Sequence, residues 1–247
     1  MVLVFRRRRY VRRRRALRRS RRPRVIIRRD GRLRRSGGFI NLKRKTPELN
    51  YYNTNVLGSM GCNLANPPIS NGTPQATVFN GYYNVPFAFS AKLSDIINSS
   101  DITQLCDSYK LKWAKIRIWC TSTTASTGST AQLPSILYRT ETDDSTVPTT
   151  VDSIREDMNA KCKVFYPGKP VVIFVPLKGQ IRNDATTSGT QGGPIITRPR
   201  WINSTYSNSV HYGLKFWLMD MNLGTTPNVN TQFRFDITYG ISGKDFQ

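Results

Sequence analysis

Apolar and polar residues alternate along much of the chain, and the period is that of half-buried strands. In "VPFAFSAKL" (85–93), Val85, Phe87, Phe89, Ala91 and Leu93 share one face, with Pro86, Ala88, Ser90 and Lys92 on the other. "FRFDITYGI" (233–241) sets Phe233, Phe235, Ile237, Tyr239 and Ile241 against Arg234, Asp236, Thr238 and Gly240. "WAKIRIWC" (113–120) sets Ala114, Ile116, Ile118 and Cys120 against Lys115, Arg117 and Trp119. A period of two over such runs predicts strands with one buried face. Leu111 and Trp113 fall on the opposite parity, which predicts a bulge or sharp twist near Trp113.

Five weaker runs read as further strands: "SILYRTE" (135–141), "KCKVFY" (161–166), "VVIFVPL" (171–177), "PIITRPRWI" (194–202) and "YGLKFWLMDM" (212–221). Between them lie loops rich in turn formers, at 121–132, 179–193 and 222–230. The first two of these loops are expected at the exposed exterior. Helical signals are short: Asp101 as a cap for "ITQLCDSY", and "SIRE" at 153–156 with capping-box spacing. Eight antiparallel strands joined by long loops suit an all-β, two-sheet sandwich of jelly-roll type. Periodicity alone leaves a barrel or an immunoglobulin-like sandwich open.

Charge divides the chain in two. Residues 1–45 hold 21 basic groups against Asp30 alone, a net +20 of the chain's +23. The other 202 residues carry 17 basic and 14 acidic groups, a net +3. Eighteen of the basic groups are arginines that precede Ser36: Arg6, Arg7, Arg8, Arg9, Arg12, Arg13, Arg14, Arg15, Arg18, Arg19, Arg21, Arg22, Arg24, Arg28, Arg29, Arg32, Arg34 and Arg35; Lys43, Arg44 and Lys45 complete the count. Such a segment repels itself and is expected to be a disordered arm in isolation. Residues 34–50 read as a hinge, with Gly37 and Gly38 supplying freedom, and residues 46–247 as the folded domain. The arm's natural partner is polyphosphate: each arginine that neutralises a phosphate releases a counterion, whatever the base sequence. Arginine also forms planar bidentate contacts with phosphate.

Catalytic chemistry finds little support. His211 is the one histidine, at the start of an apolar strand, and no Ser or Cys stands in a nucleophile-elbow context. Cys62, Cys106, Cys120 and Cys162 form no CxxC pair, which argues against zinc; reduced thiols in an intracellular protein are the default expectation. "ETDDS" (141–145) lacks the glycine and distal glutamate of an EF-hand loop, and "YPGKP" (166–170) is a turn rather than a phosphate loop. Three sequons, at Asn71, Asn98 and Asn203, read as chance matches. No signal region, membrane-length apolar run or cofactor is indicated. Trp119 and Trp217 fall on the non-core parity of their strands, so a subunit interface is the expected place for both.

An Arg-rich N-terminus followed by an eight-stranded sandwich of this size resembles the capsid proteins of circoviruses and their circovirus-like relatives. "DSYKLKWAKIRIWCTS" (107–122) looks like the segment in which an aromatic-led basic strand ends in Trp and Cys near a polar loop. "RTETDDST" (139–146), "KVFYPGKP" (163–170), "RPRWINS" (198–204), "LKFWLMD" (214–220) and "TQFRFDITYGI" (231–241) follow in the family's order, while residues 51–80 match poorly. The resemblance implies a jelly-roll coat protein, sixty copies forming a small icosahedral shell around a circular single-stranded DNA genome. It implies that the arm points inward and doubles as a nuclear localisation signal. The expected partners are then genomic single-stranded DNA, further copies of this chain and host nuclear import receptors, with the protein in the virion and in the host nucleus during assembly. No cell-surface receptor is assigned. A ribosomal or chromatin protein is the competing reading, but such proteins spread charge over the globular face, and this body nets only +3.

Overall fold

The computed structural model describes residues 40–54, 60–78, 82–121, 133–140, 145–181, 195–196, 201–222 and 232–246. Strands appear in the order β1 (Ile40–Lys45), β2 (Leu49–Asn53), β3 (Met60–Cys62), β4 (Ile69–Asn71), β5 (Gln75–Ala76), β6 (Tyr82–Ala91) and β7 (Cys106–Thr121). There follow β8 (Ser135–Thr140), β9 (Lys161–Val164), β10 (Val171–Pro176), β11 (Lys178–Ile181), β12 (Ile195–Ile196), β13 (Ile202–Asn203), β14 (His211–Asn222) and β15 (Gln232–Phe246). Two short helices are α1 (Ser99–Leu105) and α2 (Asp152–Arg155).

One sheet runs β10–β7–β15–β2–β3, with β1 also on β15 and β13 on β7. The other runs β12–β11–β14–β6–β4, with β8 also on β14, β9 on β8 and β5 on β6. Successive long strands cross between the sheets, so β2, β7, β10 and β15 face β6, β8, β9 and β14. All pairings are antiparallel. This is a jelly roll.

The period-two residues form the core. Val85, Phe87, Phe89 and Ala91 of β6, with Leu93 in the turn just beyond it, meet Ala114, Ile116, Ile118, Phe233, Phe235, Ile237 and Tyr239 of the other sheet, all essentially inaccessible. An aromatic cluster fills the centre, with Phe87 and Phe216 from one sheet and Tyr51 and Phe235 from the other. Phe87 stacks on Phe216 at 5.0 Å, and Tyr51 stands edge-on to both Phe87 and Phe235 at 5.3 Å. The Tyr51 hydroxyl donates to the Ile69 carbonyl, and burial holds its pKa well above the usual value.

The expected bulge is present. Gly240 opposes Trp113 and Ile241 opposes Leu111, which leaves Lys112 as the extra residue of β7. Leu111 therefore turns into the core, while Trp113 stays outward beside Lys115. Gly240 is needed for this geometry: a Cβ there would lie 2.2 Å from Trp113 Cε2, so the indole rests directly over the glycine backbone.

Several expectations need correction. Residues 40–45, assigned to the basic arm, form β1 on β15, and Leu49 and Asn50, at the end of the supposed 34–50 hinge, begin β2. Of the 194–202 run, Ile195, Ile196 and Ile202 are in strands and Trp201 is not, while 194 and 197–200 lie outside the described residues. Asn98, with φ of 58°, rather than Asp101, caps α1, and Tyr109 belongs to β7. The arm through residue 39, the loop at 122–132, "ETDD" at 141–144 and the loop at 182–194 lie outside the described residues.

Candidate nucleic-acid interface

The inward residues of β7, β15 and β10 are apolar, so their outward residues define a separate surface. On β7 these are Lys110, Lys112, Trp113, Lys115, Arg117 and Trp119. Strand β1 adds a cationic row through its pairing: Lys43 lies opposite Gly240 and Lys45 opposite Thr238. Across β15, Thr238 opposes Lys115 and Asp236 opposes Arg117. Neighbouring strands lie about 4.8 Å apart, so these cations gather on one face. A shallow concavity of about 710 Å³ is lined by Lys43, Arg44, Lys45, Ile97, Asn98, Trp113, Lys115, Arg117 and Thr238.

Acidic groups on this face are few and engaged. Asp236 sits 3.4 Å from Lys45 and 3.6 Å from Arg117, and so holds two of the cations in place. Arg234 pairs with Glu48 at 2.8 Å, and its guanidinium lies over the Trp119 ring at 5.2 Å. Lys112 donates to Asn41 Oδ1 at 2.9 Å, and that oxygen also accepts from Ser242 at 2.7 Å, fixing β1 to the sheet. Toward the far end, Lys110 and Lys244 approach the Trp201 ring at 5.9 and 5.3 Å. Cations interleaved with aromatic rings suit phosphates and unpaired bases.

The opposite face of the sandwich is different. On β14, Trp217 is fully buried beneath the segment carrying α2, packed with Leu137 and Ile154, and its Nε1 donates to the Thr150 carbonyl at 3.1 Å. Arg139 anchors that segment through the Ser153 carbonyl at 3.0 Å and Asp157 at 3.5 Å. The expectation that Trp217 marks a subunit interface is therefore corrected: the chain's own 150–160 segment covers it. Trp119 remains half-buried on the basic face. The eighteen arginines from Arg6 to Arg35 lie outside the described residues.

His211 is buried, with Nδ1 3.1 Å from the Ser209 carbonyl, and burial pushes its pKa down. A neutral, packed imidazole is a structural residue here. Burial likewise pushes the Cys120 thiol up to about 12, far from a reactive thiolate. Among the described residues, no group of three His, Cys, Asp or Glu side chains could hold a metal ion. The alternation in 113–120 and 233–241 places Lys115, Arg117 and Arg234 on the polar side of their strands; that Lys43 and Lys45 stand beside them depends on strand register, which no local pattern shows.

The family model described as "Circovirus capsid protein" matches residues 4–247. A comparison with curated protein sequences gives no match. Among solved structures, the chain is similar to the BFDV capsid protein as a 60-mer, with TM-score 0.56 and 14% identity, covering 85% of this chain and 95% of that one. The decameric BFDV capsid protein gives TM-score 0.47 and 14% identity, covering 85% of this chain and 99% of that one.

Proposed function

Because this chain belongs to the circovirus capsid protein family, and so is a structural component of a virion rather than an enzyme, we propose that it assembles into a sixty-copy shell around a circular single-stranded DNA genome. The arginine arm supplies most of the genome contacts, and the basic sheet face supplies the rest. The observation that carries this reading is the division of charge, +20 before Thr46 and +3 after it. A near-neutral body packs against its copies without strong repulsion, while the arm matches polyphosphate. β1 supports the same reading, because the polypeptide preceding Ile40 joins the body at the edge of the basic sheet.

At sixty copies the arms would bring roughly 1,200 positive charges, the scale of a genome of about one to two kilobases. A flexible single strand also enters a small cavity at lower bending cost than duplex, whose persistence length is about 150 bp. We further propose that the Arg-rich segment acts as the nuclear localisation signal, read by host import receptors, with assembly in the host nucleus. Trp119 stays a candidate for contact with a neighbouring copy.

The test is to express the full chain in a heterologous host and image the purified product by negative stain. Uniform small particles whose nucleic acid is sensitive to single-strand nuclease after opening are expected. A soluble monomer that binds nucleic acid without forming particles would favour the ribosomal or chromatin-type reading.

A further inference from the structure

The basic face carries an aromatic pair that phosphate binding alone does not require. Trp113 and Phe174 meet with ring centroids 5.4 Å apart and planes inclined by 33°. Register accounts for the meeting: Phe174 opposes Lys115 and Pro176 opposes Trp113, so the two rings are diagonal neighbours on adjacent strands. The indole has one face seated over Gly240, yet the residue is only half-buried. Phe174 is 59% exposed, at the open edge of the sheet. Exposed paired aromatics beside five basic side chains call for a ligand that is flat and apolar in one part and anionic in another.

We propose that the Trp113–Phe174 pair, together with the concavity that Trp113 lines beside it, is a nucleotide-stacking site, in which an unpaired base lies against the two rings and the flanking phosphates meet Lys43 and Lys115. Among the described residues neither lysine forms an ion pair, whereas Lys45 and Arg117 share Asp236 and frame the cleft. The inference rests on the reading that the coat holds single-stranded DNA. It adds the feature of the body that tells single strand from duplex. A duplex keeps its base faces stacked on one another, so it offers only phosphates to this surface. A single strand offers both parts.

Tryptophan fluorescence reads the contact directly, because all four tryptophans lie in the body and the arm has none. Nucleic-acid-free full-length protein would be titrated in about 0.5 M salt, where binding through arm charge is weak. The probes are a short oligothymidylate, a duplex of equal length and inorganic polyphosphate. Oligothymidylate should quench the fluorescence, with polyphosphate and duplex leaving it nearly unchanged. Trp113→Ala and Phe174→Ala should each weaken oligothymidylate binding about fivefold to 100-fold while polyphosphate binding holds, and Trp113→Phe should retain most of the affinity. Phe174→Ala alters an exposed side chain, so it carries the test even where Trp113→Ala fails to fold. Equal quenching by polyphosphate, or wild-type oligothymidylate affinity in Phe174→Ala, would overturn the proposal. So would a Phe174→Ala protein that loses particle formation but keeps its quench, because the ring would then be a contact between copies. A failure here leaves the arm's role intact, which is read separately from its salt dependence.

Discussion

Trp119 on β7 and Trp217 on β14 occupy corresponding outward positions on the two sheets, yet Trp217 is inaccessible and Trp119 is half-buried under Arg234. The difference lies in what covers each face. Residues 150–160 fold back over β14 and supply Val151, Ile154 and Ala160 as apolar partners for Trp217. Nothing comparable among the described residues crosses the face of β7, where Lys43, Lys45, Lys115 and Arg117 stand outward instead. Alternation thus tells which side of a sheet a residue takes, but whether that side is a second core or a working surface depends on a segment distant in sequence.

The comparison is broken most directly by truncating the two tryptophans. Trp217→Ala should cost about 3–5 kcal/mol, as expected for a large buried ring that also loses a hydrogen bond, while Trp119→Ala should cost about 1 kcal/mol or less. Urea unfolding of the two variants measures this, and equal costs would mean that the faces are not different in kind. Next in size is Gly240→Ala, whose methyl group collides with the Trp113 indole and should cost about 1–3 kcal/mol. The double variant with Trp113→Ala should recover most of that loss. Full additivity of the two changes would remove the indole as the cause.

Acid should act on the covered sheet. Burial lowers the His211 pKa, so the imidazole stays neutral in the fold while the unfolded chain accepts a proton near the usual 6.5. Its contribution is therefore fully present above about pH 6.5 and is lost as pH falls below that value, by up to about 1.4 kcal/mol per unit. Asp95 opposes this at lower pH: burial raises its pKa, so the fold takes up a proton more readily than the unfolded chain and gains stability on acidification. Thermal melts from pH 7 to 5 should show a steeper loss for the wild type than for His211→Gln, and parallel curves would remove His211 from the account. The smallest effect belongs to the exposed pair on the open face. Glu48→Gln should cost less than about 0.5 kcal/mol, and that cost should vanish in high salt.

Much of the fold was legible because long strands repeat the same instruction. The runs at 85–93, 113–120 and 233–241 each placed several residues in the core, and the parity break at Leu111–Trp113 revealed the bulge. β2 escaped because, among its described side chains, only Leu49 and Tyr51 are buried, too few to show a period. β1 escaped because its lysines and arginine read as part of the arm; its one core contact is Leu42. The basic face was only half visible for the same reason. Lys115 and Arg117 announced themselves on a clear strand, but no local pattern could place Lys43 and Lys45 beside them, since that pairing spans some two hundred residues of chain.

The central claim is that the arm, more than the body, holds the genome. Its most direct test is the slope of log K against log salt for single-stranded DNA, with Arg6–Arg9 and Arg12–Arg15 replaced by Gln. The slope should flatten by up to about 0.7 for each phosphate that the arm no longer neutralises, with the body's melting temperature unchanged. An unchanged slope would contradict the claim and assign the phosphates to the sheet face, through Lys112, Lys115 and Arg117.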